Sequence, residues 1–496
     1  MYQKLKFLNP ETESITKGKF AVVDLGSNSL RLVIFDNIEK YPHQFISERY
    51  RAKLAEGKKD GEFILDDDKI DRTLKALKWF DWICREQNVQ TSVVVATSAI
   101  REAKNGKQLV VKAREELGIE INVIDGETEA KLSAIGALNS IKKADGLVLD
   151  LGGGSLEIYC TNTKKQLSLP LGILSLKSLT DDDPEKAVAM LKQELSQHDW
   201  IKNAKGVDII ANGGGMRSIA MLHMKKTGYT IQVPQGYEIK KEYLSDFIEE
   251  LFDVERITPY FTGYDEKFKT AIPYRAALLK SLFDINPNFK KLKFSNFGLR
   301  EGVLFSQIET TDYNLSEKYA KDMAVEKGFG LEYALSSYSF VTEALKDVDH
   351  DLLYLTSLLK DISWRVHKQY RAEALFDEIL HLDFVGIDHK LRAKLALACY
   401  FTQERELTLR HISIIRKILT DEDILNCKLV GQAYKLTELI NPARNGDFSD
   451  SSLYFKHGVL RLNTSENIKE IVNLGLNKRL AELNSILEEL RKGAEA

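Results

Sequence analysis

Two segments of this chain, FAVVDLGSNSLRLVIFD from Phe20 and GLVLDLGGGSLEIYC from Gly146, follow one pattern: an apolar run, an aspartate, a turn of small residues and a second apolar run. Each predicts a strand, a tight turn and a returning strand. Two copies of one such unit about 125 residues apart imply a duplicated fold with two similar lobes. The segments between and after them fit that frame. Between Asp67 and Gln87, residues Ile70, Leu74, Leu77, Trp79, Phe80 and Ile83 recur at largely helical spacing. A strand TSVVVATSAI, a helical stretch near Gly106 to Leu117, a short strand INVI and a helix from about Gly126 follow. Beyond the second hairpin come KQLSLPLGILSLKSL, a helix near Pro184 to Gln197, the strand VDIIA, and a Gly-rich turn at Asn212 to Gly215 that enters another helix. Strands alternating with helices predict an α/β sheet flanked by helices in each lobe.

From about Thr310 strand signals thin out, and Leu/Ala/Glu/Lys-rich helical periodicity runs to Ala496. The start of the last segment, IKEIVNLGL, reads equally as strand or helix, and its end as an amphipathic helix. The expected organisation is an N-terminal extension 1–18, a first lobe 19–135, a second lobe 136–309 and a helical domain 310–496. A chain of 496 residues is too long for one core. A formal net charge of −3 means that a polyanionic partner has to be met by a local basic patch. Cys84, Cys160, Cys399 and Cys427 lack CxxC or metal-ligand spacing, so reduced thiols and a cytoplasmic location are expected. The first residues lack a signal-peptide core, and no apolar run reaches the length of a membrane span.

The chemistry concentrates at the turns. Gly26-Ser27-Asn28-Ser29 and Gly152-Gly153-Gly154-Ser155 allow close approach of backbone to phosphate, and successive N–H groups in such turns make anion-binding concavities. Asp24 and Asp150 stand just before them, where carboxylates can hold a hydrated divalent cation near phosphate oxygens. Glu157 lies seven residues after Asp150 on the returning strand, and can share that cation or simply be a solvated edge carboxylate. Asp125, Glu127 and Glu129 mark the passage from a strand into a helix. Spacing does not choose among them, since acids in a first turn also complement the helix dipole. Arg101 can supply fixed positive charge to phosphate oxygens. The turn Asn212-Gly213-Gly214-Gly215 is a third place where phosphate can meet a helix N-terminus.

Taken together, DLGSNSLRLVIFD, ATSAIREA, VIDGETEAKLSAIGAL, LVLDLGGGSLEIY, LPLGILSL, ANGGGMRSIA and FGLREGVLF resemble the exopolyphosphatase/guanosine pentaphosphate phosphohydrolase (Ppx/GppA) family, from about Lys19 to Ile308. The resemblance implies a duplicated, actin-like (ribonuclease H-like) two-lobed domain. It singles out Glu129 as the base that activates water and Arg101 as a cleft arginine. Asp150 and Glu157 match metal-associated acids, while Asp24, Ser27, Asn28 and the loop Gly152 to Ser155 match the phosphate and metal surroundings. Mg²⁺, or another divalent cation such as Mn²⁺, is the implied cofactor, and a homodimer the implied assembly, with no role for nucleic acid or membrane. The helical remainder resembles the HD-like C-terminal domain of long members. An HD metal site needs a His-Asp pair, and Lys360 stands where the histidine before Asp361 would be, so this domain is expected to be structural and substrate-guiding. Arg365, His367, Lys368, Arg371, Lys390 and Arg392 are candidates for a basic track along it. The expected activity is Mg²⁺-dependent removal of the terminal phosphate of inorganic polyphosphate. The alternatives are hydrolysis of guanosine pentaphosphate at its 5′ end, a nucleotide-responsive regulator without turnover, and a phosphotransferase.

Overall fold

The computed structural model describes residues 17–38, 41–56, 63–142, 144–204, 208–260, 266–308 and 314–495. The expected extension 1–18 therefore lies almost wholly outside the described residues. Two compact units are present, one running to Gly228 and resuming at Pro234, the other formed by Tyr229–Val233 and the residues from Asn314 onward.

The first unit contains both predicted lobes. In the first, strands β1 (Phe20–Leu25), β2 (Leu30–Phe35), β3 (Gln44–Tyr50), β4 (Thr91–Ala96) and β5 (Ile121–Val123) make a sheet in the order β3-β2-β1-β4-β5. In the second, β6 (Gly146–Leu151), β7 (Leu156–Cys160), β8 (Gln166–Leu169), β9 (Asp208–Asn212), β10 (Glu238–Lys240) and β11 (Lys291–Phe294) run β10-β11-β9-β6-β7-β8. Each sheet pairs an antiparallel three-strand meander with two parallel strands on its other side, as duplication demands, and the second adds β10 antiparallel at the far edge. The central strands β1 and β6 have flanking strands on both edges and so are buried at every position but one. The half-buried position is the same in both: Asp24 and Asp150. An apolar strand interrupted once by a carboxylate, at its C-terminal end, is a scaffold that delivers that group to the sheet edge.

Local chemistry explains the helices around the sheets. The helix Asp67–Glu86 starts at Asp66, whose carboxylate accepts from the Lys69 amide at 2.8 Å, and it buries Ile70, Leu74, Leu77 and Phe80 on the first sheet. The helix Gly126–Ser140 crosses the expected lobe boundary at 135/136 and packs as one piece on β6, β7 and β8. Against it lies the helix Leu299–Ser306, which also reaches β1. Their backbones touch: a Cβ on Gly302 would stand 1.8 Å from the Leu132 carbonyl oxygen, and one on Gly136 2.1 Å from that of Gly298. Glu301 ties the same helix to the first sheet, because its buried carboxylate accepts from Gln44 Nε2 at 2.7 Å and from the Gly298 amide at 2.8 Å.

The second unit is helical, with His350–Leu359, Arg371–His381, His389–Phe401 and Asp421–Ile440 around one core, and a hairpin, β12 (Ser451–Lys456) and β13 (Val459–Thr464), that the sequence did not signal. The last segment is one helix, Glu466–Glu495. Lys360 is buried as an ion pair with Asp361, and its ammonium lies 4.2 Å from the centre of the Tyr333 ring. Arg392 does not belong to a surface track: it is fully buried and donates to the carbonyls of Leu382 at 2.7 Å and Phe384 at 2.6 Å, closing the end of the preceding helix. Lys390 pairs with Asp423 at 2.9 Å, while Arg365, His367 and Lys368 are exposed. All four cysteines are buried free thiols. Among the described residues no helix is long and apolar enough to cross a membrane.

Gly302→Ala should destabilise the first unit by about 1–3 kcal/mol or more, since the added methyl meets backbone that cannot step aside; urea unfolding checks this. Lys360→Met should cost the helical unit about 3–5 kcal/mol by leaving Asp361 buried without its cation. Exchanging both residues of that pair for apolar ones should recover most of the loss.

Candidate active site

Both hairpins close with the same hydrogen bond, Gly26 N to Ser29 O at 3.2 Å and Gly152 N to Ser155 O at 3.0 Å. The turns face each other closely. Ser27 Oγ is 3.1 Å from Ser98 Oγ, and a Cβ on Gly154 would lie 2.8 Å from Ser98 Oγ and 3.0 Å from Ser27 Oγ, so only glycine lets the second turn approach. The first turn is braced by Lys53 and Ala55, whose amides donate to the carbonyls of Asn28 and Ser27. The Asn28 side chain is exposed at the tip. In the second turn Ile173 N, Leu174 N and Ser175 Oγ donate to the carbonyls of Gly152, Gly153 and Gly154. These carbonyls are therefore already engaged and do not oppose an incoming anion.

Burial separates the three acids of VIDGETEA. Asp125 is the cap of the helix Gly126–Ser140, accepting from the Thr128 amide at 2.7 Å, and Glu127 is exposed. Glu129 alone is buried, and Arg101 Nη1 donates to its Oε2 at 3.0 Å and to the Ile124 carbonyl at 3.0 Å. Arg101 thus fixes the orientation of a carboxylate and at the same time lines the open cavity beside it. Burial pushes the Glu129 carboxyl up to about 7, helped by Asp150 and Asp24 and opposed by Arg101. An open cavity of about 480 Å³, lined by Arg101, Asp125, Gly126, Ser155 and Ser168, adjoins this pair.

Asp150 and Glu157 are directly opposite on β6 and β7. Asp150 accepts from Ser133 Oγ at 2.9 Å, one turn along the helix from Glu129, and Glu157 accepts from Ser168 Oγ at 3.0 Å. Burial raises both carboxyls, and for Glu157 the charges of Glu129 and Asp150 add to it. Asp24 is raised as well, chiefly by burial, with Asp150 contributing. A Cβ on Gly213 would stand 2.9 Å from Asp150 Oδ1, which brings the third Gly-rich turn to the same carboxylate. Asn212 donates to the Ser133 carbonyl at 3.3 Å, while its buried Oδ1 has no partner. Among the described residues no three His, Cys, Asp or Glu side chains cluster closely enough to enclose a metal ion by themselves.

Sequence reading missed the cationic half of the cleft. Arg31 is the cross-strand partner of Asp24, as Glu157 is of Asp150. Arg300, from the first turn of the helix Leu299–Ser306, and Arg217, from the helix Gly213–Thr227, act on Asp150 together. Burial and the charges of Arg300, Arg49 and Arg217 push the Arg31 guanidinium down to about 10. The signal was available for Arg31: it follows Asp24 by the seven-residue interval that flagged Glu157. For Arg217 and Arg300 only the fold brings distant segments to one place.

Glu129 holds its proton more tightly in the folded protein than in the unfolded chain. Its burial therefore costs nothing below the ordinary Glu range, and stability is lost as pH rises from about 4.5 towards 7. In divalent-free buffer Glu129→Gln should be more stable than the parent by roughly 3 kcal/mol at pH 8 and equal to it at pH 4.5. Thermal melts across that range check the sign.

Residues 33–311 match the profile described as the Ppx/GppA phosphatase family, and residues 336–457 that of the exopolyphosphatase C-terminal region. Retrograde regulation protein 2 of Saccharomyces cerevisiae is 27% identical over 333 residues, covering 60% of this chain and 56% of that protein. A guanosine-5′-triphosphate,3′-diphosphate pyrophosphatase of Pseudoalteromonas atlantica is 28% identical over 316 residues, with 60% and 59% covered. Exopolyphosphatase 1 of Mycobacterium tuberculosis is 30% identical over 192 residues, with 37% and 54% covered. The chain thus spans rather more than half the length of these curated relatives. Among solved structures, the Ppx/GppA protein of Aquifex aeolicus superposes with a TM-score of 0.50 at 25% identity, over 60% of this chain and 99% of that one. An exopolyphosphatase of Cytophaga hutchinsonii gives 0.51 at 23%, over 59% and 99%, a likeness of fold. With the family profile matching more than half of its length, and the second hairpin with Asp150 and Glu157 inside that match, this chain belongs to the Ppx/GppA phosphatase family.

Proposed function

We propose that the chain is an exopolyphosphatase, hydrolysing the terminal phosphoanhydride bond of inorganic polyphosphate with Glu129 as the base. One observation carries this reading: a buried carboxyl held near neutrality and oriented by Arg101, beside two glycine turns that meet face to face. A base whose pKa lies near the working pH combines a useful ionised fraction with real proton affinity.

In this reading the terminal phosphoryl group lies between the turns Gly26–Ser29 and Gly152–Ser155, against their amides and the hydroxyls of Ser27 and Ser98. Arg31, Arg217 and Arg300 balance its negative charge. Glu129 accepts the proton of a water molecule placed for in-line attack, and Arg101 keeps the accepting oxygen in position. The resulting carboxylic acid is stable in its buried setting until the proton passes to solvent.

The residues present suit a hard divalent cation, Mg²⁺ or Mn²⁺. All donors are oxygens, Asn212 Oδ1 is buried and unpartnered, and the charge of Asp150 raises the proton affinity of Asp24, a repulsion that a cation relieves. Asp150 and Asp24, with Glu157 behind, would hold it, in keeping with a cation that retains waters and takes only one or two protein carboxylates. When bound, it neutralises charge on the phosphate oxygens.

The similarity to a protein named for regulation, Retrograde regulation protein 2, supports a second reading, a nucleotide-responsive regulator without turnover. Phosphate release from long-chain polyphosphate, guanosine pentaphosphate and ATP, with and without divalent cation, separates the readings. Polyphosphate should be the best substrate. A preference for guanosine pentaphosphate would move the assignment to the nucleotide, and no release from any would favour the regulator. Glu129→Gln should lower kcat by about 10²–10⁴ with little change in substrate binding. Near-native turnover in that variant would remove Glu129 from the reaction.

A further inference from the structure

Most cations of the helical unit are answered by a nearby acid. Lys321, Lys327, Lys390 and Arg410 meet Glu317, Glu378, Asp423 and Glu373 at 2.6, 2.6, 2.9 and 2.8 Å. The loop that joins the helix His350–Leu359 to the helix Arg371–His381 departs from that pattern. From Ile362 to Ala372 the chain holds no Asp or Glu, yet it carries Arg365, His367, Lys368 and Arg371 together with Trp364 and Tyr370. Among the described residues neither Arg365 nor Lys368 has a carboxylate partner. Both are exposed, as is His367, and Tyr370 leaves 61% of its surface in solvent.

Hydrogen bonds fix the shape of this loop. Arg371 Nη2 donates to the carbonyls of Trp364 at 2.8 Å and Val366 at 3.4 Å, and the Gln369 amide donates to His367 Nδ1 at 3.3 Å. A short helical turn, Lys368–Tyr370, results, and the His367 and Tyr370 rings stand 6.1 Å apart. At the start of the loop the Trp364 ring packs on Phe329, with centres 5.1 Å apart. Each of these two rings takes a guanidinium, Arg365 at 5.3 Å from the Trp364 centre and Arg444 at 3.9 Å from that of Phe329. Aromatic rings and positive charge without a carboxylate thus alternate along one hydrogen-bonded loop.

A ligand that uses both features carries anionic groups and flat rings at short intervals. Inorganic polyphosphate has the charge and no ring, and a duplex keeps the faces of its bases inside the stack. A single strand of nucleic acid offers both, and proteins that hold it without sequence preference combine cations along the backbone with aromatic platforms under the bases. We propose that the loop Trp364–Arg371 binds single-stranded nucleic acid, with His367 and Tyr370 stacking on bases while Arg365 and Lys368 meet phosphates. The family resemblance implies no role for nucleic acid, so this is a binding activity added to the reaction at the cleft. It does not depend on the hydrolase reading.

The test is fluorescence anisotropy of a labelled oligothymidylate with the full chain over a range of salt, with the affinity for long-chain polyphosphate measured in parallel. The parent should bind the oligonucleotide. Tyr370→Ala should weaken that binding roughly fivefold or more, the loss of one base stack, and leave polyphosphate affinity unchanged. The double variant Arg365→Gln, Lys368→Gln should reduce the slope of log affinity against log salt by about 1.4, as expected for two phosphate contacts on a single strand. Both variants alter exposed side chains and should melt with the parent, which a thermal scan beside each titration checks. No oligonucleotide binding by the parent, or binding that Tyr370→Ala leaves unchanged, overturns the assignment. An equal loss of polyphosphate and oligonucleotide in Tyr370→Ala overturns it too, by marking a surface for polyanions in general. Phosphate release is a separate readout: its absence in the parent discards the hydrolase and leaves the loop's assignment standing.

Discussion

Everything at the cleft depends on two helices whose backbones touch. Where Gly136 and Gly302 meet, no side chain separates the helix Gly126–Ser140 from the helix Leu299–Ser306. The first carries Glu129 and Ser133, the second Arg300 and Glu301, and Glu301 reaches across to Gln44 of the first sheet. Interiors at crystal-like density transmit such a contact without slack. A buried carboxyl from one segment and a guanidinium from another, some 170 residues later in the chain, are thereby held at one place by main-chain packing.

That rigidity serves an unfavourable electrostatic arrangement. Glu129, Glu157, Asp150 and Asp24 all hold their protons more tightly than free carboxyls, because burial raises each and the charge of a neighbouring acid adds to it. Natural folds tolerate such clusters where ligands complete them, and perturbed acids gathered at a cleft mark function more often than structure. The helical unit solves the same problem internally. Lys360 supplies the positive charge beside Asp361, so its buried acid needs nothing from outside.

Much of this was legible in the residues. The duplicated strand-turn-strand pattern gave both hairpins, and the single polar residue in each central strand marked Asp24 and Asp150. The choice of Glu129 over Asp125 and Glu127 came from resemblance; only the structure supplies a physical reason, by making one acid a cap, one exposed and one buried. Arg31 was hidden in plain view, one strand from its partner. Arg217 and Arg300 lay beyond local reasoning, since each reaches the cleft through tertiary packing. The hairpin β12–β13 went unseen because its strands, SSLYFK and VLRLNT, are half exposed and lack a continuous apolar face. Arg392 misled for a general reason: a long basic side chain on an amphipathic helix reads as surface until the carbonyls it closes are known.

The two copies of the hairpin differ at one register position. Opposite the strand-end aspartate, the first copy has Arg31 and the second has Glu157. Gene duplication would make the two walls of the cleft interchangeable; this divergence makes them opposites, one cationic and one anionic. A symmetric fold thereby acquires a vector, its charge running from one hairpin to the other.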